Sequence, residues 1–153
     1  MEIYLHVPYC RQKCRYCDFA SFPHAESTQR AYVDAVLTEA ASQAAKLPHS
    51  IMETAYLGGG TPSILPPELL TRLLEGVTAY FPLAPGAEFT SEANPGTLTH
   101  EWLDAALNCG INRLSMGMQA AQPALLKMLG RIHDFTQVQQ SVELARHAGF
   151  QHI

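Results

Sequence analysis

The chain has 153 residues, 47% of them apolar and 16% charged, with a net charge of -4. Such a chain is long enough for one domain with a real core and too short for two full-sized ones, and its apolar share speaks against disorder. Ten Lys and Arg stand against fourteen Asp and Glu, and no basic stripe is interleaved with aromatics, so neither a nucleic-acid surface nor an anionic membrane is an expected partner.

The first twenty residues lack the basic start and long apolar run of a secretory signal, and no apolar segment is long enough to span a bilayer. A cytoplasmic setting with no transmembrane segment is the expectation. "EIYLHV", Glu2 to Val7, alternates as a strand does, and a loop carrying Cys10, Cys14 and Cys17 follows directly. A helix is expected from Ser27, where Val33, Val36, Leu37, Ala40, Ala41 and Ala44 recur at helical spacing and Pro48 lies just beyond the end. Thr54 to Leu57 reads as a short buried strand breaking into the glycine loop of "GGGTPS". Pro66 and Pro67 suit a helix start, and Leu69, Leu70, Leu73, Leu74, Val77 and Phe81 form its apolar stripe.

"EFTSEANPGT" reads as a strand running into an Asn-Pro-Gly turn, and Thr99 as the cap of a helix that Gly110 terminates. "NRLSMGMQ" is a fourth strand, followed by a short helical turn from Pro123 to Leu129. Thr136 and Gln139 make a capping box for a helix through His147, closed by Gly149, and "FQHI" begins a fifth strand. Four strand-helix units in strict alternation predict an α/β fold with a parallel sheet, either an open doubly wound sheet or a barrel or part of one. The pattern stops mid-unit, so residues 1–153 are expected to be the first portion of a longer core domain. A part-barrel of this kind is expected to expose an apolar sheet edge and to self-associate or fold poorly alone.

Each of the four strands is followed by an unusual loop, and in parallel α/β folds those carboxyl ends share one face. The three crowded cysteines, spaced CxxxCxxC, are the most telling of these loops. Short spacing lets one loop wrap a metal group with little loss of chain entropy. Structural zinc would take a fourth ligand from a second paired knuckle, and no such CxxC or HxxxH follows. A four-iron cubane held by three thiolates keeps one iron without a protein ligand, a place for a small molecule. The ligand set suits an iron-sulfur cluster better than zinc, and ordinary free or redox-active cysteines are the third reading. Cys109 reads as a small buried hydrophobe, and His6, in mid-strand, as a hydrogen-bonded histidine beside the site.

These residues carry a resemblance. "YLHVPYCRQKCRYCDF" resembles the signature of radical S-adenosylmethionine enzymes. With "LGGGTPS", "EANPGT", "NRLSMGMQ" and "LGRIH" in this order, nearly the whole chain is similar to the oxygen-independent coproporphyrinogen oxidase group and its heme-chaperone branch. The resemblance implies a part TIM barrel represented by about four βα units. It also implies a four-iron four-sulfur cluster on Cys10, Cys14 and Cys17, whose remaining iron binds S-adenosylmethionine, and reductive cleavage of that cofactor to methionine and a 5'-deoxyadenosyl radical.

By the same resemblance, Tyr4 packs near the cofactor, Gly58, Gly59, Gly60 and Thr61 approach its methionine amino group by backbone, and Glu92, Gln119 and Arg131 contact its ribose and carboxylate. Arg131 suits the carboxylate because its planar fork makes paired bonds. Plainer roles stand beside these: the glycines as a tight turn, Glu92 as a helix cap, Gln119 as the partner of a buried backbone group, Arg131 as a solvated cation.

One departure bears on function. Oxidase members carry a further cysteine two positions after the third cluster cysteine, and this chain has Phe19 there. "CDF" looks like the heme-chaperone branch, which implies heme or porphyrin, a heme-acceptor protein and an electron donor as partners, with the heme site in a later part of the family's chain. Coproporphyrinogen oxidation is the alternative, and a zinc-stabilised binding module the second alternative.

Overall fold

The computed structural model describes residues 1–23 and 26–153. Four strands form one wholly parallel sheet: β1 (Glu2–Val7), β4 (Met52–Gly59), β5 (Leu83–Ala93) and β6 (Arg113–Met116). Two short strands, β2 (Tyr9–Cys10) and β3 (Phe22–Pro23), pair with each other and close the base of the cysteine loop. Among the described residues the α-helices are α1 (Glu26–Lys46), α2 (Pro67–Tyr80) and α3 (His100–Asn108) between strands of the sheet, and α4 (Pro123–Leu129) and α5 (Phe135–Ala148) after its last strand.

Strand order decides between the two candidate architectures. Each strand of the large sheet lies beside its predecessor, in the order β1-β4-β5-β6. A doubly wound sheet would reverse direction at a switch point, whereas sequential order is how a barrel is built. The expected part-barrel is what the chain forms. Past β6, the fifth strand expected at "FQHI" is a single bridge, Arg113 to His152, backed by Leu114 N–H donating to the His152 carbonyl.

Alternation along the strands sorts the side chains between two faces. Val7, Ala55, Leu57, Phe89 and Leu114 are buried in a core shared with Leu69, Leu70, Leu73, Leu74 and Val77 of α2 and Trp102 and Leu103 of α3. The opposite face is polar. Tyr4 pairs in register with Tyr56, His6 with Gly58, and Glu92 with Ser115. The helices thus cover one side of the sheet, and the other, the inside of the part-barrel, carries groups able to do chemistry.

Element ends shift from expectation by a few residues in several places, and two of the shifts have a clear cause. β4 does not break after Leu57 but runs through Gly58 and Gly59, because pairing with His6 and Val7 of β1 holds the glycines in the ladder. The capping box of α5 is Asp134 with Gln137, not Thr136 with Gln139: the Asp134 carboxylate accepts from Gln137 N–H at 2.8 Å, and the Gln137 side chain accepts from Asp134 N–H at 3.0 Å. Aspartate is the stronger N-cap, and starting there adds two residues to the helix. Asp134→Ala should therefore lower stability by about 1 kcal/mol in urea unfolding, while Thr136→Ala should change it far less. Thr99 caps α3 as expected, accepting from Trp102 N–H at 3.1 Å. No helix among the described residues is long and apolar enough to cross a membrane.

Candidate functional site

The carboxyl ends of all four strands open on one cavity of about 260 Å³. The cysteine loop after β1 supplies Cys10, Cys14 and Cys17, the turn after β4 supplies Gly60 and Thr61, and the end of β5 supplies Glu92 and Asn94. The segment after β6 supplies Gly117 and Gln119, and Arg131 enters from beyond α4. Sequential parallel strands make this convergence inevitable, since every crossover returns the chain to the same end of the sheet.

Backbone bonds fix the rim. Gly60 N–H donates to the Val7 carbonyl at 2.7 Å and Phe22 N–H to the Pro8 carbonyl at 2.8 Å. The cysteine loop is docked on the end of α4, with Arg15 N–H on the Leu129 carbonyl at 3.1 Å and Gln12 Nε2 on the Gly130 carbonyl at 3.1 Å. Cys10 is buried and Cys14 and Cys17 are half-buried; all three are free thiols.

Two of the three sulfurs already face hydrogen-bond donors. Thr61 Oγ1 lies 3.6 Å from Cys10 Sγ, and Arg131 Nη1 donates to Cys14 Sγ at 3.4 Å. Arg131 Nη2 donates to Asn94 Oδ1 at 2.7 Å and to the Gly117 carbonyl at 2.9 Å, while its buried Nε has no protein partner among the described residues. The guanidinium is therefore built into the wall of the cavity, not solvated at the surface. Tyr16 stands against Cys14 and Arg131, and partial burial, with the nearby Cys14 also contributing, raises its phenol pKa against the lowering effect of Arg131. Behind Arg131, the buried His133 donates from Nε2 to the Met118 carbonyl at 3.1 Å, and burial holds its pKa below the usual value.

Glu92 is held from two sides. Its Oε1 accepts from Tyr56 Oη at 2.9 Å and its Oε2 from Gly59 N–H at 3.1 Å, so it caps no helix. Burial first, and then the Glu92 carboxylate, raise the Tyr56 pKa, which keeps that hydroxyl a donor. Gly59 has φ +108°, a region that favours glycine, and a side chain there would run into the His6 ring. His6 Nε2–H donates to the Ala20 carbonyl at 2.8 Å, leaving Nδ1 to accept from Tyr4 Oη at 3.1 Å.

Nine of the eleven residues singled out from the sequence thus line one cavity: Cys10, Cys14, Cys17, Gly59, Gly60, Thr61, Glu92, Gln119 and Arg131. Gln119 is exposed and takes a left-handed φ of 64°, unusual for a residue with a side chain. Gly58 lies one step below the rim, packed against Tyr56 and Glu92. Tyr4 lies outside the cavity, further down the inner face, stacked on Tyr56 with ring centroids 6.0 Å apart. Cys109 sits half-buried at the end of α3, and burial raises its thiol pKa.

Sequence reasoning missed Asn94, Tyr16 and Ser115. For Asn94 a signal existed: two positions beyond Glu92, it faces the same side of the strand. Ser21, buried, has a hydroxyl without a protein partner among the described residues and also lines the cavity.

Among the described residues, no group of three or more His, Cys, Asp or Glu side chains is placed to hold a single metal ion. A cubane binds each thiolate at a different iron, so its ligands stand farther apart than those around one ion. Three free thiols on one cavity wall, two of them facing donors, fit a group of that size.

Residues 4–153 match the radical SAM superfamily. The chain is 40% identical over 151 residues to the heme chaperone HemW of Lactococcus lactis, covering 98% of this chain and 38% of that protein. It is 40% identical over 152 residues to the heme chaperone HemW of Escherichia coli, covering 97% of this chain and 40% of that protein. Among solved structures, the radical SAM enzyme coproporphyrinogen III oxidase (HemN) of Escherichia coli superposes with a TM-score of 0.89 at 27% identity, over 97% of this chain and 34% of that one. The chain spans about two fifths of the length of these curated relatives.

Proposed function

Because the chain belongs to the radical SAM superfamily, we propose that residues 1–153 are the N-terminal part of a radical SAM core domain. In this reading Cys10, Cys14 and Cys17 hold a four-iron four-sulfur cluster, S-adenosylmethionine lies beside it, and the protein as a whole is a heme chaperone. The observation that carries the proposal is the shared cavity, in which three free thiols, a fixed carboxylate and a walled-in guanidinium face one another at the strand ends. When bound, the cluster supplies one electron for reductive cleavage of the sulfonium cofactor.

The chain's own residues bind and orient. The N–H groups of Gly59 and Gly60 are committed to Glu92 and Val7, so this rim offers an approaching ammonium no free donor to repel it. Arg131 brings a fixed positive charge to the cavity wall for a carboxylate, and Glu92 and Gln119 remain for the hydroxyls of a ribose. Arg131→Ala should weaken S-adenosylmethionine binding to the reconstituted protein by roughly tenfold or more, the usual worth of a charge-assisted hydrogen bond. Unchanged binding by titration calorimetry would contradict the assignment.

Phe19, exposed on the cavity rim where oxidase members carry a cysteine, and identity of 40% to two heme chaperones support the chaperone reading. A second reading, oxygen-independent coproporphyrinogen oxidation, is favoured by the close superposition on that oxidase. In the full-length protein, heme uptake and transfer to an apo-acceptor test the first. Consumption of coproporphyrinogen with S-adenosylmethionine and a reductant tests the second.

A further inference from the structure

We propose that Asn94 is a positioning residue that ties Thr61 to Arg131, holds a hydrogen-bond donor on each of two cysteine sulfurs, and thereby raises the reduction potential of the cluster bound there. The inference rests on the cluster reading above and adds a device to it. Four contacts form an unbroken chain across the site: Thr61 Oγ1 to Cys10 Sγ at 3.6 Å, Asn94 Nδ2 to Thr61 Oγ1 at 2.8 Å, Arg131 Nη2 to Asn94 Oδ1 at 2.7 Å, and Arg131 Nη1 to Cys14 Sγ at 3.4 Å. Together the three residues also form a partition, since the 260 Å³ cavity and a smaller one of about 130 Å³ are both lined by Thr61, Asn94 and Arg131.

The direction of every proton in this chain follows from chemistry. A guanidinium has donors and no acceptor, so Asn94 must turn Oδ1 to Arg131 and therefore Nδ2 to Thr61. Thr61 Oγ1 then accepts from Asn94 and has its own proton free for Cys10. The backbone of Asn94 is fixed as firmly: its N–H donates to Ser63 Oγ at 3.3 Å, and its carbonyl accepts from Thr97 Oγ1 at 2.6 Å and Thr97 N–H at 3.1 Å. Thr61, Ser63 and Thr97 are buried, so these bonds act in a medium that screens them little.

Donors facing cluster-ligating sulfurs favour the more negative, reduced state, and hydrogen bonding to the sulfurs is one of the levers that set cluster potentials. Removing Asn94 frees Thr61 to turn its proton away and releases one of the holds on Arg131. An aspartate at position 94 would keep the bond to Arg131 but offer Thr61 an acceptor where it now meets a donor, drawing the hydroxyl proton away from Cys10.

The test is the midpoint potential of the anaerobically reconstituted protein, followed by electron paramagnetic resonance at controlled potentials, with iron and sulfide assayed on every sample. Thr61→Val should load as the parent does and make cluster reduction about tenfold less favourable, a drop of about 59 mV for one electron. Thr61→Ser should hold the parent potential, and Asn94→Asp should drop at least as far as Thr61→Val. Thr61→Val is near-isosteric and adds no charge, so its potential reads the Cys10 hydrogen bond directly, and Thr61→Ala serves in its place if it does not load; the added charge of Asn94→Asp lowers the potential further. Parent-like potentials in loaded Thr61→Val and Asn94→Asp would overturn the inference and leave the cluster reading standing. A parent protein that takes up no iron and sulfide would overturn both.

Discussion

Cys14→Ala is expected to abolish retention of iron and sulfide and with them the brown chromophore, while the far-ultraviolet circular dichroism stays that of the parent. Cys14 is half-buried in a loop and belongs to no strand of the sheet, so its loss costs the core little. For the site the cost is large. Removing outer-shell partners of a metal ligand alone weakens binding by about 10–100-fold, and a direct ligand is worth more. The remaining pair, Cys10 and Cys17, would leave two irons of a cubane without protein thiolates. Arg131 would also lose the sulfur that its Nη1 faces. Cys109→Ala is the matched control, because Cys109 caps α3 away from the cavity and should leave iron content unchanged. Full iron and sulfide in Cys14→Ala would contradict the ligand assignment.

Gly60→Ala is expected to destabilise the fold by roughly 2 to 3 kcal/mol, the cost of forcing a methyl group into packed structure, and to lower cluster loading with it. A Cβ at position 60 would stand 2.5 Å from the Tyr9 carbonyl oxygen and 2.9 Å from that of Val7. Both obstacles are main chain and cannot rotate away, in contrast to Gly59, where the obstacle is the His6 side chain. The same crossing holds the bond from Gly60 N–H to Val7, which pins the end of β4 beside the start of the cysteine loop. Relief of the clash would push that loop off the sheet and move Cys10, which β2 carries. Urea unfolding of the two proteins checks the first part, and an unshifted midpoint would show that the approach is looser than the distances imply.

Much of the architecture was legible because local and long-range preferences agree. β1 and α4 span the residues expected, and Thr99 caps α3, since alternation, an N1 proline and a capping hydroxyl are local signals that the tertiary fold leaves alone. The glycines of β4 read locally as a break because their strand conformation is imposed by pairing with β1, which no local pattern encodes. Likewise, two capping boxes overlap at the start of α5, and the choice falls to the stronger cap.

At the site, residue types and the order of loops announced a common mouth, and nine singled-out residues line it. What the sequence concealed is the wiring. Asn94 looked like a turn residue before proline and is instead the joint between Thr61 and Arg131, a role set by partners 33 residues before it and 37 after. Tyr4, near the cysteines in sequence, sits below the cavity because the strand carries it away along the inner face.

The most direct test is the metal content of the protein after anaerobic reconstitution, read together with its response to S-adenosylmethionine. About four iron and four sulfide per chain are expected, with a cluster spectrum that changes when the cofactor is added. Stoichiometric zinc without sulfide, or a cluster spectrum indifferent to the cofactor, would contradict the cluster reading.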